Sequence, residues 1–139
     1  MKNDGHYLEQ ALKDEFNKAI KLNFMWRRLP DTKSSKGGIV EAQPADFFCS
    51  HRSNGPYHIE CKSRGVANYR LGKFDQLPLM RRWSKAGVPG IVLCHFYKLG
   101  EEILLVNVDD LEEGKASWDV SKIAEVCPDI ESAARAFYE

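Results

Sequence analysis

The sequence predicts an α/β fold in a single domain, with a central mixed β-sheet flanked by helices. The length of 139 residues fits one compact domain with its own core. Segments in which apolar residues recur at helical spacing alternate with short apolar runs that are typical of strands. Along the chain their order is helix, strand, strand, helix, strand, strand, helix, which indicates helices packed on one sheet.

The first predicted helix covers residues 5–22, because its apolar residues, among them Leu8, Leu12 and Phe16, follow one helical stripe. A short strand is expected over residues 24–26. The segment 30–38 is predicted to form a loop, since its sequence PDTKSSKGG combines Pro, Ser and Gly with few apolar residues.

Two strands are predicted next, over residues 45–49 and 57–62. The Asn-Gly-Pro sequence at 54–56 predicts the turn between them, because these residues favour the backbone conformations of a tight hairpin. The two strands should therefore lie side by side as a hairpin.

The second half of the chain is predicted to add one helix and two further strands. The helix covers 74–85, with Pro78 in its first turn, where a proline is tolerated. The segment 91–97 is apolar almost throughout, as in a strand buried on both faces, and 103–108 follows as the next strand. The core of the domain should thus cover about 5–111, and an acidic, helical C-terminal region should cover about 112–139.

Composition excludes several classes of protein. No apolar run approaches the ~20 residues that a membrane span needs, and the polar N-terminus MKNDGHYLEQ has no signal-peptide core. We therefore expect a cytoplasmic protein without a membrane partner. None of the four cysteines forms a C-x-x-C pair, and the three that lie in apolar stretches are expected to be small, reduced residues of the core.

The charged residues are distributed unevenly along the chain. Residues 1–97 contain 16 Lys and Arg against 9 Asp and Glu, whereas residues 98–139 contain 4 against 11. A basic portion of this kind is compatible with a surface that faces a polyanion such as DNA. Charge alone leaves open the alternative of two oppositely charged faces that only solvate the fold.

The predicted hairpin brings two acids and a lysine together. Because side chains alternate along a strand, Glu60 and Lys62 should point to one face of the sheet and Cys61 to the other. Asp46 on the neighbouring strand can reach the same face. Two carboxylates that converge in this way suit Mg²⁺, and a nearby ammonium suits metal-assisted hydrolysis of a phosphodiester. The alternative is an ion pair on an exposed hairpin face.

These residues resemble a known motif, that of the PD-(D/E)xK nuclease superfamily. The resemblance extends over roughly residues 5–111, and its order and spacing are most similar to RecU-type Holliday junction resolvases and their phage relatives. Those enzymes are dimeric, depend on a metal and cut four-way DNA junctions. The segments that carry the resemblance are Pro44-Ala45-Asp46, Ile59-Glu60-Cys61-Lys62, the Glu9 of the first helix, the Gln76 of the second and the strand pair from GVPGIVLCHFYK to EEILLVNVDDL.

The resemblance implies a restriction-endonuclease-like core and a role for each matched residue. Asp46 and Glu60 would be metal ligands, Glu9 an accessory ligand, direct or through water, and the backbone carbonyl of Cys61 would face the metal. Lys62 would activate water or stabilise the transition state, with Gln76 as its polar neighbour. The implied cofactor is Mg²⁺, for which Mn²⁺ can substitute.

The basic residues around the motif are the predicted contacts to DNA phosphates, because Lys and Arg supply most of the affinity that is independent of sequence. They are Lys33, Lys36, Arg64, Arg70, Lys73, Arg81 and Arg82. The segment between Trp26 and Pro44 departs from RecU-type proteins, which have a longer protruding segment at that place.

The sequence thus predicts a single nuclease domain over residues 1–139, and the resemblance implies a Mg²⁺-dependent endonuclease that acts as a homodimer on four-way DNA junctions. Its expected location is the cytoplasm of a bacterial or phage-infected cell. Three alternatives stay open: an endonuclease of the same fold with another DNA substrate, of restriction or repair type; a DNA-binding protein that keeps the fold without catalysis; and an enzyme that uses Cys61 as a nucleophile.

Overall fold

The computed structural model describes residues 5–30 and 43–139, and in these ranges three α-helices surround two β-sheets. The helices and strands lie in the predicted order over most of the chain. The helices are α1 (Gly5–Ala19), α2 (Leu77–Lys85) and α3 (Ile130–Arg135). The strands are β1 (Phe24–Arg28), β2 (Phe47–His51), β3 (Asn54–Arg64), β4 (Arg70–Gly72), β5 (Gly90–Phe96), β6 (Ile103–Asn107), β7 (Ser117–Asp119) and β8 (Glu125–Cys127).

The larger sheet is mixed, as the sequence predicts. Its strand order is β1-β2-β3-β5-β6-β8, and all neighbours are antiparallel except β3 and β5, which run parallel. Parallel neighbours need a crossover connection, and here it contains α2. The strands β4 and β7 form a separate two-stranded sheet.

Two apolar layers cover the faces of the larger sheet. On one face, α1 and α3 pack through residues such as Leu12, Phe16 and Phe137. On the other face, α2 and the small sheet pack through Met80 and Trp118. Alternation along β3 places Ile59 and Cys61 in the first layer, so Glu60 and Lys62 point to the second, as predicted. The predicted fold class is therefore confirmed.

The hairpin turn lies two residues earlier than predicted. His51 pairs with Asn54, so Arg52 and Ser53 form the turn, and Asn-Gly-Pro lies inside β3. The side chain of His51 explains the shift, because its Nδ1 accepts a hydrogen bond from the Ser53 backbone N–H at 3.1 Å. A glycine is still required at position 55, because the φ of +100° there lies in the left-handed region that residues with a side chain rarely adopt.

The C-terminal region is only partly helical, so the prediction of a helical region over 112–139 is wrong in part. It contains β7 and β8 before α3. Each of these strands has three residues, which is too short for alternation to be visible in the sequence. The β8 strand forms because it completes the edge of the larger sheet beside β6.

No helix in the described ranges is long and apolar enough to cross a membrane. All four cysteines are free and buried, one more than the three that the sequence places in the core. Lys33 and Lys36, two of the predicted DNA contacts, lie outside the described residues.

Candidate active site

Hydrogen bonds from the backbone and the side chain hold Asp46 between the end of β1 and the middle of β3. Its backbone N–H donates to the carbonyl of Ile59 at 3.0 Å, and its carbonyl accepts from the N–H of Leu29 at 2.8 Å. Its side chain Oδ2 accepts from the backbone N–H of Cys61 at 2.9 Å. Asp46 precedes β2 by one residue, so the hairpin register fixes its carboxylate next to Glu60, as the sequence predicts.

Glu60 and Lys62 form a close ion pair on the face of β3 that α2 covers. Lys62 Nζ lies 3.1 Å from Glu60 Oε2, and the Glu60 side chain is only 4% exposed. The ammonium also lies 5.0 Å from the centroid of the Phe74 ring, which gives it an apolar support. The three residues of the predicted motif are thus brought together.

The Glu60 carboxylate has an unusual environment. Its Oε1 atom is buried and has no hydrogen-bond partner in the described part of the chain. Burial, and next the charge of Asp46, raises the pKa of Glu60 to about 7, although Lys62 acts in the opposite direction. A buried oxygen without a partner is costly, so this atom is a place where a cation would bind favourably.

Glu9 reaches the site from α1. Burial, and then the charge of Asp46, raises the pKa of Glu9, while Arg28 lowers it. Glu9 Oε1 lies 3.4 Å from Nη2 of Arg28, and the same nitrogen lies 3.6 Å from Asp46 Oδ1. The predicted helical glutamate is therefore close to the acids of the hairpin, with an arginine between.

Sequence reasoning missed Arg28 as a residue of the site. It lies at the end of β1, and its partners are 18 and 19 residues away along the chain, so spacing gives no sign of the contact. The one available signal is the cationic pair Arg27 and Arg28 at the end of a short strand. Of this pair, only Arg28 points toward the acids; Arg27 is exposed.

Cys61 has its thiol in the apolar layer under α1. Burial raises the pKa of this thiol well above its usual range, and the charges of Asp46 and Glu9 act in the same direction. A thiol that stays protonated is a poor nucleophile, so the structure disfavours the alternative of cysteine catalysis. The implied role of the Cys61 carbonyl stays a prediction.

Gln76 lies at the N-cap position of α2, two residues after Phe74. Within 5–30 and 43–139, no hydrogen bond joins the side chain of Gln76 to Lys62; the contacts of the ammonium are Glu60 and the Phe74 ring. A role for Gln76 beside Lys62 therefore stays a prediction.

The arrangement fits a metal ion held by few protein ligands. Among the described residues, no three His, Cys, Asp or Glu side chains are placed so that together they could hold a metal ion. Asp46 and Glu60 nevertheless face each other, and the buried Oε1 of Glu60 has no hydrogen-bond partner in the part of the chain that the structure describes. Mg²⁺ is commonly bound by one or two carboxylates, with waters and substrate phosphate as the other ligands. The pair therefore suits such an ion.

The predicted DNA contacts differ in how exposed their side chains are and in whether these side chains already contact other parts of the protein. Arg70, Lys73 and Arg82 are exposed on the surface. Arg64 is half-buried and donates to the carbonyl of Ser63 at 3.0 Å. Arg81 is engaged inside the protein, because its guanidinium donates to the carbonyl of Leu111 and lies over the ring of Trp118. By exposure, Arg70, Lys73 and Arg82 are therefore better candidates for contacts to DNA than Arg64 and Arg81.

One solved structure with a similar fold is that of Hjc, a Holliday junction resolvase from the archaeal hyperthermophile Archaeoglobus fulgidus. The TM-score is 0.58, and the match covers 91% of this chain and 98% of Hjc, at 15% sequence identity. At this identity the likeness shows a shared fold, and the fold expected from the PD-(D/E)xK resemblance is thereby confirmed. No protein-family model and no curated protein matches the sequence.

Proposed function

We propose that this protein is a metal-dependent endodeoxyribonuclease that cleaves Holliday junctions as a homodimer, in the cytoplasm. One observation carries the proposal: Asp46, Glu60 and Lys62 converge on one point, where the buried Oε1 of Glu60 has no hydrogen-bond partner within residues 5–30 and 43–139. Support for the substrate comes from the fold, which is shared with a Holliday junction resolvase.

Each side chain has a task in this chemistry. Asp46 and Glu60 would hold the divalent ion, Mg²⁺ or Mn²⁺, with Glu9 as an accessory residue through water. When bound, such an ion polarises a phosphoryl oxygen and lowers the pKa of a coordinated water. Lys62 holds the attacking water or stabilises the negative charge that grows on the phosphate, because its ammonium is fixed between Glu60 and Phe74.

Burial of the site adds to these effects. The side chains of Glu60 and Lys62 are 4% and 17% exposed, so little water screens their charges. Electrostatic interactions are stronger in such surroundings than in bulk water. The Lys62 ammonium would therefore orient a bound phosphate more strongly than an exposed lysine could.

The homodimer is supported by an apolar patch on the α2 face of the sheet, formed by Met25, Phe48 and Trp83. Their exposed fractions are 66%, 36% and 42%. The ring of His58 packs between Phe48 and Trp83, with centroids 5.3 and 5.2 Å away, and its buried Nδ1 has no partner in the described ranges. A second copy that covers this patch would bury the apolar surface and offer a partner to that nitrogen.

The Trp83→Glu variant tests the dimer. We expect light scattering after size exclusion to give the mass of two chains for the wild type and of one chain for the variant. Val126→Glu, on the edge strand β8, is the matched control, because Val126 is 50% exposed and lies outside the patch. A monomeric wild type would contradict this part of the proposal.

A panel of labelled DNA substrates tests the activity. Four-way junction, duplex, flap and single-stranded DNA are incubated with Mg²⁺ and either the wild type or Lys62→Ala. We expect the wild type to cut the junction preferentially and Lys62→Ala to cut it far more slowly. Equal cleavage by both proteins would show that the assigned residues are wrong.

The same panel separates the alternatives. Preference for duplex or flap DNA would identify an endonuclease of restriction or repair type on this fold. A protein that binds DNA without catalysis would cut nothing with Mg²⁺ or Mn²⁺, and its affinity for DNA would not respond to Asp46→Asn. Cleavage that is lost in Asp46→Asn excludes that last class.

A further inference from the structure

A cavity of about 270 Å³ lies on the face of the larger sheet that α1 and α3 cover, opposite to the face of Glu60 and Lys62. It is bordered by the start of α1, the end of β5, the turn between β5 and β6 and the start of α3. Leu8, Ile103 and Ile130 form an apolar part of its wall. An apolar cavity of about 150 Å³ can already hold benzene, so this one has room for a ring with a short chain.

Three rings also line the cavity, those of Tyr7, His95 and Tyr97. His95 and Tyr97 lie two residues apart at the end of β5 and therefore point to the same side of the sheet. Their ring centroids are 6.1 Å apart and their planes are inclined by 67°. Because the face of a tyrosine ring attracts a cation, this part of the wall suits a positively charged group.

The charged groups of the cavity are acidic. Glu101 and Asp129 line it, and among the described residues of its wall none is Lys or Arg. The Nε2–H of His95 donates to the carbonyl of Gly100 at 3.2 Å, which ties the turn that carries Glu101 to β5. The Ser132 N–H donates to Oδ1 of Asp129 at 2.8 Å and so holds the second carboxylate at the start of α3. Both carboxylates are exposed, so they form the rim of the cavity.

The helix dipoles act against a cation but are weaker than the carboxylates. Both α1 and α3 begin beside the cavity, and each N-terminus is equivalent to at most about half a positive charge. The full negative charges of Glu101 and Asp129 outweigh these two partial charges. The cavity should therefore attract a cation and repel an anion.

We propose that this cavity binds a small organic ammonium ion whose apolar part is about the size of a ring. The apolar wall holds the ring, and the ammonium group lies between the tyrosine rings and the carboxylates of Glu101 and Asp129. Pockets that bind small molecules combine these features, an apolar wall with a few polar groups that select the ligand. The site is separate from Asp46, Glu60 and Lys62, so the inference does not depend on the proposed nuclease function.

Three probes that share a ring and differ in charge test the inference: benzylamine, benzyl alcohol and benzoate. Each is titrated at neutral pH into the isotope-labelled full chain, and two-dimensional NMR follows the backbone N–H signals. Benzylamine should shift the signals of Gly100, Glu101 and Ile130, which line the cavity. It should bind at least about fivefold more tightly than benzyl alcohol, because the ring faces and the carboxylates favour the positive charge. Benzoate should bind more weakly than both.

Two matched variants assign the preference to the cavity. Glu101→Gln should reduce the preference for benzylamine over benzyl alcohol to about twofold or less, because one of the two negative charges is lost. Glu102→Gln is the control, since Glu102 is the exposed neighbour on the same turn and does not line the cavity, and it should leave the preference unchanged.

A third variant fills the space. Ala11 lines the cavity from α1, so Ala11→Leu should weaken the binding of benzylamine and of benzyl alcohol by about tenfold or more. If Ala11→Leu does not fold, as judged by circular dichroism, the two glutamate variants still decide the matter, because both change exposed side chains.

Several results would overturn the inference. These are the absence of shifts at the cavity with benzylamine, binding of benzoate as tight as that of benzylamine, and an unchanged preference in Glu101→Gln. Tighter binding of Nα-acetyl-lysine amide than of benzylamine would indicate a lysine side chain of a partner protein and would also overturn it. None of these measurements involves DNA, so their failure and the failure of the proposed function are distinguishable.

Discussion

Acidic residues of this protein are held in two different ways, in the C-terminal region 112–139 and in the cluster of Glu9, Asp46 and Glu60. In the C-terminal region, Asp119 and Asp129 are exposed and accept hydrogen bonds from Ser121 and Ser132. These hydrogen bonds hold the pKa of both aspartates below its usual value. In the cluster, burial and mutual repulsion raise the pKa of Glu9 and Glu60.

The difference shows what each group of acids contributes. Asp119 and Asp129 cap short helical segments, and their partners lie two or three residues away, so their charges are favourable in the folded chain. The cluster brings together acids from distant segments, and one of its buried oxygens, Oε1 of Glu60, has no hydrogen-bond partner among the described residues. Titratable groups that are perturbed in this way concentrate at functional sites. The cluster, and not the more acidic C-terminal region, is therefore the place of the proposed chemistry.

The largest expected effect is on cleavage by Lys62→Ala. Loss of the ammonium should lower the rate of junction cleavage by about 10²–10³-fold, the range seen when one transition-state donor is removed. Single-turnover cleavage with Mg²⁺ measures it. Lys122→Ala is the matched control, because Lys122 is an exposed lysine of the C-terminal region, and its rate should not change.

The second expected effect concerns stability and pH in the absence of metal. Glu60 has an ordinary pKa of 4.5 and a folded pKa of about 7, so between these values the folded state binds more protons than the unfolded state. Stability should therefore fall as the pH rises through this window, by on the order of 3 kcal/mol. Urea unfolding from about pH 4.5 to about pH 8, for the wild type and Glu60→Gln, measures the contribution.

In Glu60→Gln this part of the pH dependence should be absent, because the amide does not ionise. The raised pKa of Glu9 acts in the same direction and remains in the variant, so the comparison isolates Glu60. Identical pH profiles for the two proteins would contradict a carboxylate that is destabilised by burial.

The third expected effect is stabilisation by Mg²⁺. An ion that binds only the folded state, at ten times its dissociation constant, raises the free energy of unfolding by about 1.4 kcal/mol. Thermal unfolding with and without Mg²⁺ detects this in the wild type. Asp46→Asn should lose the effect, whereas a variant of the C-terminal region such as Asp129→Asn should keep it.

The smallest expected effect is at the exposed ion pair of α3. Arg135 pairs with Glu131 one turn away, and both side chains are about half exposed. Removing this pair with Glu131→Gln should change the free energy of unfolding by no more than about 0.5 kcal/mol. A change as large as that of Glu60→Gln would contradict the difference between the exposed acids of the C-terminal region and the buried cluster.

The residues that the sequence predicted best are those whose partners lie on neighbouring strands. Alternation along β3 places Glu60 and Lys62 on one face, and the hairpin then brings Asp46 to them. Both conclusions need only the period of a strand and the approximate position of a turn. They are not sensitive to the error of two residues in that turn.

The parts that the sequence did not predict depend on long-range contacts. The position of Arg28 beside the acids follows from the approach of α1 and of Asp46 to the end of β1, which no local spacing encodes. The engagement of Arg81 with Leu111 and Trp118 is equally distant along the chain. Strand β8 is too short to show a pattern and forms because an edge of the sheet is available beside it.

The product pattern on a labelled four-way DNA junction tests the central claim most directly. Each of the four strands is labelled in turn, and the protein is added with Mg²⁺. The account predicts paired nicks at symmetric positions in two opposite strands, lost in Asp46→Asn. An intact junction with the wild type, or the same nicks with Asp46→Asn, would contradict it.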